Sequence, residues 1–205
     1  MKEYVIKKVE TKPLDWDQVP KAEIDAYRWM DNGYAPRVRA ALCYNRDAIY
    51  IKFWAYETEI RGTHKTHNEQ VCEDSCVEFF FHPNSDPNFF NIETNVLGTQ
   101  LIGFGPERNG RTRVEVEDDV MQIIPSVKDA EGYDNTFWTV EYRVPFSFLK
   151  RFYGDLDIVK DGLRANLCKC GDLTRYEHYG MWNEIEIEEP DYHRPDWFGK
   201  MTFEQ

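Results

Sequence analysis

The sequence predicts an all-β protein: an antiparallel β-sandwich, of immunoglobulin-like or jelly-roll-like two-sheet architecture, with short helical turns. Three observations predict it. Apolar residues alternate with polar ones at period two over many short runs. Clusters of Gly, Pro, Asn and Asp punctuate those runs every ten or so residues. No long stretch keeps a helical period. The 205 residues show no internal repeat and no low-complexity linker, so they read as one domain, 1–205.

Taken in order, Tyr4–Val9 reads as a short strand, and the segment holding Pro13 and Pro20 leads away from it. Within that segment, 14–19 reads as a short helical turn capping the core. Ala22 to Asn32 holds no single period. Val38–Tyr44 and Ile49–Tyr56 form a hairpin whose turn, Asn45 to Ala48, is expected to use left-handed geometry at Asn or Asp. Residues 57–70 are polar and irregular and read as a surface loop. After the two strands described next, Thr99–Phe104 continues beyond the Gly98 turn. Pro106–Gly110 turns again, and Arg111–Glu117 reads as an edge strand. Met121–Val127 reads as a strand interrupted by Pro125, 132–135 as a turn, and Phe137–Val144 as a strand. Pro145 opens a short helix to Tyr153, because proline suits a first helical position. Leu163–Cys170 is the last long strand, and Phe198–Phe203 closes the chain.

The most informative stretch is Asp74–Phe81 with its neighbour Asn91–Gly98. Val77, Phe79 and Phe81 fall on one side of the first strand; Cys76, Glu78, Phe80 and His82 fall on the other. In the second, Ile92, Thr94 and Val96 alternate with Asn91, Glu93, Asn95 and Leu97. Two adjacent strands offering carboxylates and amides from one face make a polar platform suited to a ligand covered in hydroxyls.

Bulk properties narrow the classes. A net charge of -12 and a pI near 4.9 exclude a general nucleic-acid backbone binder, which needs a basic face. They also disfavour anionic polymers. No apolar run approaches the roughly 20 residues of a membrane span, and the N-terminus lacks the apolar core of a signal peptide. A cytoplasmic location is expected, with a secreted mature form left open. The five cysteines, Cys43, Cys72, Cys76, Cys168 and Cys170, make a poor disulfide framework and suit a reducing compartment. Their spacing offers four zinc ligands only if both close pairs converge, so core thiols are the default.

In chain order, Asp74-Ser-x-Val-Glu78-Phe-Phe, Asn91-x-Glu-x-Asn95-x-x-Gly98, Trp138-x-x-Glu141-x-x-Val-Pro145, Arg164-x-Asn166, Trp182 and His193-x-Pro195-x-x-Phe198-Gly199 match a known pattern. The chain resembles the family 9 carbohydrate-binding modules, within the wider DOMON-like β-sandwich group. The resemblance implies sugar binding without catalysis, of a neutral plant-type mono- or oligosaccharide of the xylan or glucan class, and a structural calcium ion. It places Glu78 on the family's binding glutamate and Asn95 on a binding asparagine. Glu93 stands where a basic binding residue is common. One of two clamping tryptophans should fall near position 72, where this chain has Cys72, so Trp182 is the remaining platform candidate. No contiguous calcium loop stands out, and the ion's ligands stay open.

The expected ligand-binding set is therefore Glu78, Glu93, Asn95, Arg164, Asn166 and Trp182. Each has a plainer reading. Glu78 and Arg164 suit ion pairs, Arg164 with Glu141 or Glu78. Asn95 suits a strand end, and Trp182 suits the core. Trp138 is expected in the core, and His193 to anchor the tail by a hydrogen bond. Two other functions compete: a glycoside hydrolase using Glu78 and Glu93 as its carboxylate pair, and a DOMON-like haem or interaction module drawing on Met30, Met121, Met181 or Met201. Oligomeric state is not legible in the sequence.

Overall fold

The computed structural model describes residues 1–11, 15–127 and 137–205. The expected turn at 132–135, and the beginning of the one at 14–19, lie outside them; the rest of the latter is a single 3-10 turn, Trp16–Gln18. The protein is mostly β. The first half supplies β1 (Glu3–Lys8), β2 (Ala22–Ile24), β3 (Ala26–Tyr27), β4 (Arg37–Tyr44), β5 (Ala48–Tyr56), β6 (Cys76–Pro83) and β7 (Phe89–Asn95). The second supplies β8 (Gln100–Gly105), β9 (Thr112–Arg113), β10 (Ile124–Pro125), β11 (Trp138–Pro145), β12 (Leu163–Cys170), β13 (Tyr179–Met181) and β14 (Gly199–Phe203).

Among the described residues these form one curled 14-stranded sheet. Its main path runs β10-β11-β5-β4-β1-β14-β12-β6-β7-β8-β9, with β2 on β4, and β13 between β12 and β3. The sheet is mixed, which corrects the wholly antiparallel expectation. β1 lies parallel to both β4 and β14, with Tyr4 opposite Met201 and Lys7 opposite Cys43. The first strand is inserted between an early strand and the last one, and this insertion joins the two halves of the sheet.

Side-chain alternation explains the packing. Leu42, Ile51, Phe53 and Val140 from one half meet Val77, Phe79, Ile92 and Leu167 from the other in a single large core. The opposite face of β6 is also covered. Cys76 and Phe80 pack with Cys168, Cys170, Met181, Ile185, Tyr192 and Phe198 in a second core. All eight residues of β6 are therefore buried. The polar platform expected to face solvent is roofed by the C-terminal segment.

Local chemistry sets the element ends. In the β4–β5 turn, Asn45 Oδ1 accepts from the backbone N–H of Asp47 (2.8 Å) and Ala48 (3.1 Å). The side chain closes this turn, and among the described residues only Trp29, Asn68 and Gln122 are non-glycines with positive φ. The left-handed expectation at Asn45 or Asp47 is thus corrected. Arg111–Glu117 pairs only at β9. Of the expected 121–127 strand, Met121 ends a short helix, Asp118–Met121, and only Ile124–Pro125 pairs with β11. Pro125 has no N–H to donate, which limits extension. The helix after Pro145 forms as expected, Phe146–Tyr153. No helix among the described residues is long and apolar enough to cross a membrane.

Trp182 is only 4% exposed, and its ring lies in the main core against Gly199. A Cβ on Gly199 would sit 2.7 Å from Trp182 Cη2 and 3.0 Å from the Lys2 carbonyl oxygen. Both the indole and the β1 backbone stand in its way. Gly199→Ala is expected to destabilise by about 1–3 kcal/mol through overpacking, a drop of roughly 2–4 °C in Tm per kcal/mol for a chain this size. Thermal unfolding checks it; an unchanged Tm would show that the indole can move aside.

Candidate functional site

Antiparallel pairing of β6 with β7 sets Glu78 directly opposite Glu93, and Cys76 opposite Asn95. Directly opposed side chains on one face have Cβ atoms about 4.5–5.5 Å apart. Glu78 and Glu93, 3% and 4% exposed, form the floor of a cavity of about 210 Å³ in the roof over this face. Trp29, Tyr179 and Tyr192 line one part of it. Their rings form a cluster, with Trp29 centred 5.5 Å from Tyr192 and 6.1 Å from Tyr179. Trp29 Nε1 donates to the Ile187 carbonyl at 2.8 Å, and the residue holds a φ of 72°, a conformation rare outside glycine. The Tyr192 hydroxyl lies 3.0 Å from the Lys169 carbonyl and 3.1 Å from that of Gly180. Cys72, Cys170, Asp172, Arg108, Arg111 and His193 line other parts.

The carboxyls are held short of full charge. Burial pushes Glu78 well above the usual carboxylate range, and the neighbouring Glu93 pushes it further. Cys170 Sγ lies 3.1 Å from Glu78 Oε1 and donates to it. Burial likewise raises Glu93 to about 7, with Arg111 opposing the shift and Asp172 adding to it. Asp172 itself rises to about 6, chiefly by burial. Glu93 Oε1 accepts from Asn91 Nδ2 at 3.1 Å and lies 3.8 Å from Arg111, whereas Oε2 is buried with no hydrogen-bond partner. Such an atom is costly unless a ligand or water serves it. His193 sits 3.2 Å from Asp191 through Nδ1, while its Nε2 lies 3.0 Å from Asn91 Nδ2 and beside the Arg111 guanidinium. Burial lowers its pKa, so the neutral ring donates at Nδ1 and accepts at Nε2.

Of the expected binding set, Glu78 and Glu93 meet in this cavity; the other four do not line it. Asn95 shares their face but is saturated. Its amide donates to His64 O and Asp74 Oδ2, both at 2.9 Å, while its oxygen accepts from the N–H of Leu97 (3.1 Å) and Thr99 (2.9 Å). That exhausts an asparagine side chain and makes Asn95 the clamp of the Gly98 turn. Asn166 donates to Asn183 O at 2.8 Å and accepts from Asn183 N at 2.9 Å, which pins the entry to the tail. Arg164 lies four residues, or about 13 Å, along β12 from Cys168, the register partner of Glu78. Trp182 is core, so it is no platform. Trp138 is fully buried, as expected.

Motif positions outside the cavity do structural work. Asp74 accepts from Thr63 N, His64 N and Asn95 Nδ2 and pairs with Arg61, which ties the 57–70 loop to the sheet. Ser75 Oγ donates to Glu57 at 2.5 Å. Glu57 in turn pairs with Lys169, whose ammonium also reaches Cys170 O (2.6 Å) and His178 Nε2 (2.8 Å). Among the described residues no three His, Cys, Asp or Glu side chains converge to hold a metal ion. The zinc arrangement is therefore not formed among the described residues, and no cluster of acidic side chains there marks the calcium site implied by the resemblance. Met121 and Met201 pack in the main core and Met181 in the second, and no described methionine lines the cavity.

Residues 8–203 match the model of carbohydrate-binding family 9. The chain belongs to that family. No curated protein matches it at a significant level. Among solved structures, a candidate carbohydrate-binding protein from Bacteroides uniformis ATCC 8492 is 27% identical, with a TM-score of 0.85 over 99% of both chains. A family 9 module from Caldicellulosiruptor kristjanssonii in complex with glucose is 12% identical, with a TM-score of 0.65 over 99% of this chain and 96% of that one. The same module with cellotriose gives 12% and 0.65, over 98% and 93%.

Sequence reading of this family 9 chain missed Trp29, Tyr179 and Tyr192. Trp29 lies in the stretch without a period, almost fifty residues before Glu78, and only the β3–β13 pairing, Tyr27 opposite Gly180, brings it to the cavity. Tyr192 was within reach, beside His193 in a matched motif.

The raised Glu93 pKa has a stability consequence. Below pH 4.5 both folded and unfolded Glu93 carry a proton. Between 4.5 and about 7 only the unfolded form ionises, so the stabilisation present at acid pH is lost as pH rises through the folded value. His178, pushed down to about 3 by burial and then by Lys169, acts in the opposite sense and costs stability below its unfolded value of 6.5. The difference between Glu93→Gln and the parent reads the carboxyl together with the rise that it causes in Glu78. It is expected to shift in the variant's favour by about 1 kcal/mol or more from pH 5 to pH 8, roughly 2–4 °C in Tm. Calorimetry across that range checks it; a pH-independent difference would refute it. Asn95→Ala is expected to cost about 2–4 kcal/mol by removing the acceptor of the Leu97 and Thr99 amides and the donor to the His64 carbonyl, read as a fall in urea midpoint.

Proposed function

We propose that this family 9 protein binds a carbohydrate in the cavity over Glu78 and Glu93 and does not transform it. One observation carries the reading: paired buried carboxyls, able to donate and accept, stand beside the partly exposed indole of Trp29 in a single cavity. Hydroxyls of a pyranose need such mixed partners, and its apolar face needs an aromatic ring. The family is one of non-catalytic binding modules, and the C. kristjanssonii relative was solved with glucose and cellotriose. These support a sugar of the glucan class, and the xylan class stays an expectation from the sequence. The cavity, about 210 Å³, is small beside the roughly 300–1,000 Å³ of drug-sized sites, which favours one ring or a chain end. The curled sheet is read here as the two facing layers of a sandwich, supported by the single core that both halves fill.

The hydrolase alternative is not favoured. Glycosidase carboxyls flank the scissile bond from opposite sides. Glu78 and Glu93 are register partners on one floor and lie on the same side of anything in the cavity.

Isothermal titration with glucose, xylose, cellobiose and xylobiose tests the proposal. Millimolar-range binding is expected, since sugar hydroxyls exchange water bonds for protein bonds with little net gain. Trp29→Ala is expected to weaken it at least about tenfold, in line with loss of an aromatic anchor. No heat of binding at millimolar sugar, or full affinity in Trp29→Ala, would overturn the assignment.

A further inference from the structure

The cavity holds more acid than the chain balances. Asp191 is matched by Arg194 at 2.9 Å and by Arg108 at 3.9 Å. Glu93 has Arg111 at 3.8 Å, and the same guanidinium also contacts His193. Glu78 and Asp172 have no basic side chain within 4 Å among the described residues; the nearest polar partner of Glu78 is the Cys170 thiol. Lys169 lies close by, but its ammonium is committed to Glu57, Cys170 O and His178. Buried carboxyls without a cation are expensive in charged form. Either they keep protons or a cation arrives with the ligand.

Two further observations point to a cation. Glu93 lines the cavity and is 4% exposed, and its Oε2 is buried without any hydrogen-bond partner. The adjacent wall is a cluster of three aromatic rings, Trp29, Tyr179 and Tyr192. Aromatic faces attract ammonium groups, with tryptophan the strongest. An anionic sugar has little to hold it: Arg111 is engaged, and Arg108 is 58% exposed beside Asp191. The overall acidity that disfavours anions favours a cation.

We infer that the cavity takes a sugar bearing a free protonated amino group, a hexosamine in preference to a plain hexose, with the ammonium between the carboxyls of Glu78, Glu93 and Asp172 and the aromatic wall of Trp29, Tyr179 and Tyr192. This inference rests on the sugar-binding function proposed above. The amine brings a positive charge to carboxyls that lack one and a donor to Glu93, whose Oε2 has no partner.

The test is isothermal titration of the whole protein at pH 6.5 with D-glucosamine, D-glucose, N-acetyl-D-glucosamine and D-glucuronate. Glucosamine is expected to bind at least about tenfold more tightly than glucose, the scale of one charge-assisted hydrogen bond. N-acetylation, which removes the charge, is expected to abolish that gain, and glucuronate to bind most weakly. In Asp172→Asn the glucosamine-to-glucose affinity ratio is expected to fall toward one, with thermal unfolding confirming that the variant is folded. If that variant does not fold, the parent's four-ligand ranking decides. Equal affinity for glucose and glucosamine overturns the amine inference and leaves sugar binding standing. Tightest binding of glucuronate overturns it in favour of the arginines. Binding of none of the four removes both.

Discussion

Strand β6 is buried along its whole length on both faces, and the remaining architecture follows from that. A strand of eight buried residues needs an apolar layer on each side. Val77, Phe79 and Phe81 find theirs in the main core; Cys76 and Phe80 find theirs under the C-terminal segment. Glu78 sits between Cys76 and Phe80 on the roofed face, so the same roof that buries Phe80 also encloses a carboxyl. A cavity at that point is what lets the polar group avoid direct burial against apolar atoms.

The roof is itself anchored by polar groups that the interior can tolerate because each is fully served. Lys169 has three acceptors for its three protons: Glu57, Cys170 O and His178. Asn166 ties the start of the tail to β12, and Asn183 Nδ2 donates to Trp197 O at 2.6 Å, which ties the end of the tail to its start. Saturated side chains of this kind hold a backbone in place and are closed to ligands. Glu93, whose second oxygen is unserved, differs from them in lining the cavity as well.

The β content, the positions of the longer strands and the division of β6 and β7 into two faces were legible because alternation has the period of a strand; the burial of the polar face was not. The pairing of Glu78 with Glu93 was legible too, since both occur mid-strand on neighbouring runs. The roles of Asn95, Asn166 and Trp182 were not, because a motif records that a residue type is needed and not whether a turn, a tail or a ligand needs it. Trp29 was hidden for another reason: its place depends on two short pairings, β13 with β12 and with β3, that leave no periodic trace in three- and two-residue strands. The parallel insertion of β1 was equally invisible, since alternation does not encode strand direction.

That insertion has a temporal consequence. β1 bonds to β14 over Glu3–Ile6 and Lys200–Phe203, so one edge of β1 is satisfied only by a segment made some two hundred residues later. Contacts this distant along the chain slow folding, because loop closure precedes any reward. While the ribosome is still working, the edge of β1 that β14 will occupy stands ready for a partner, and a nascent chain truncated before β14 presents that unsatisfied edge to its neighbours. Termination ahead of β14 therefore carries an aggregation hazard of its own.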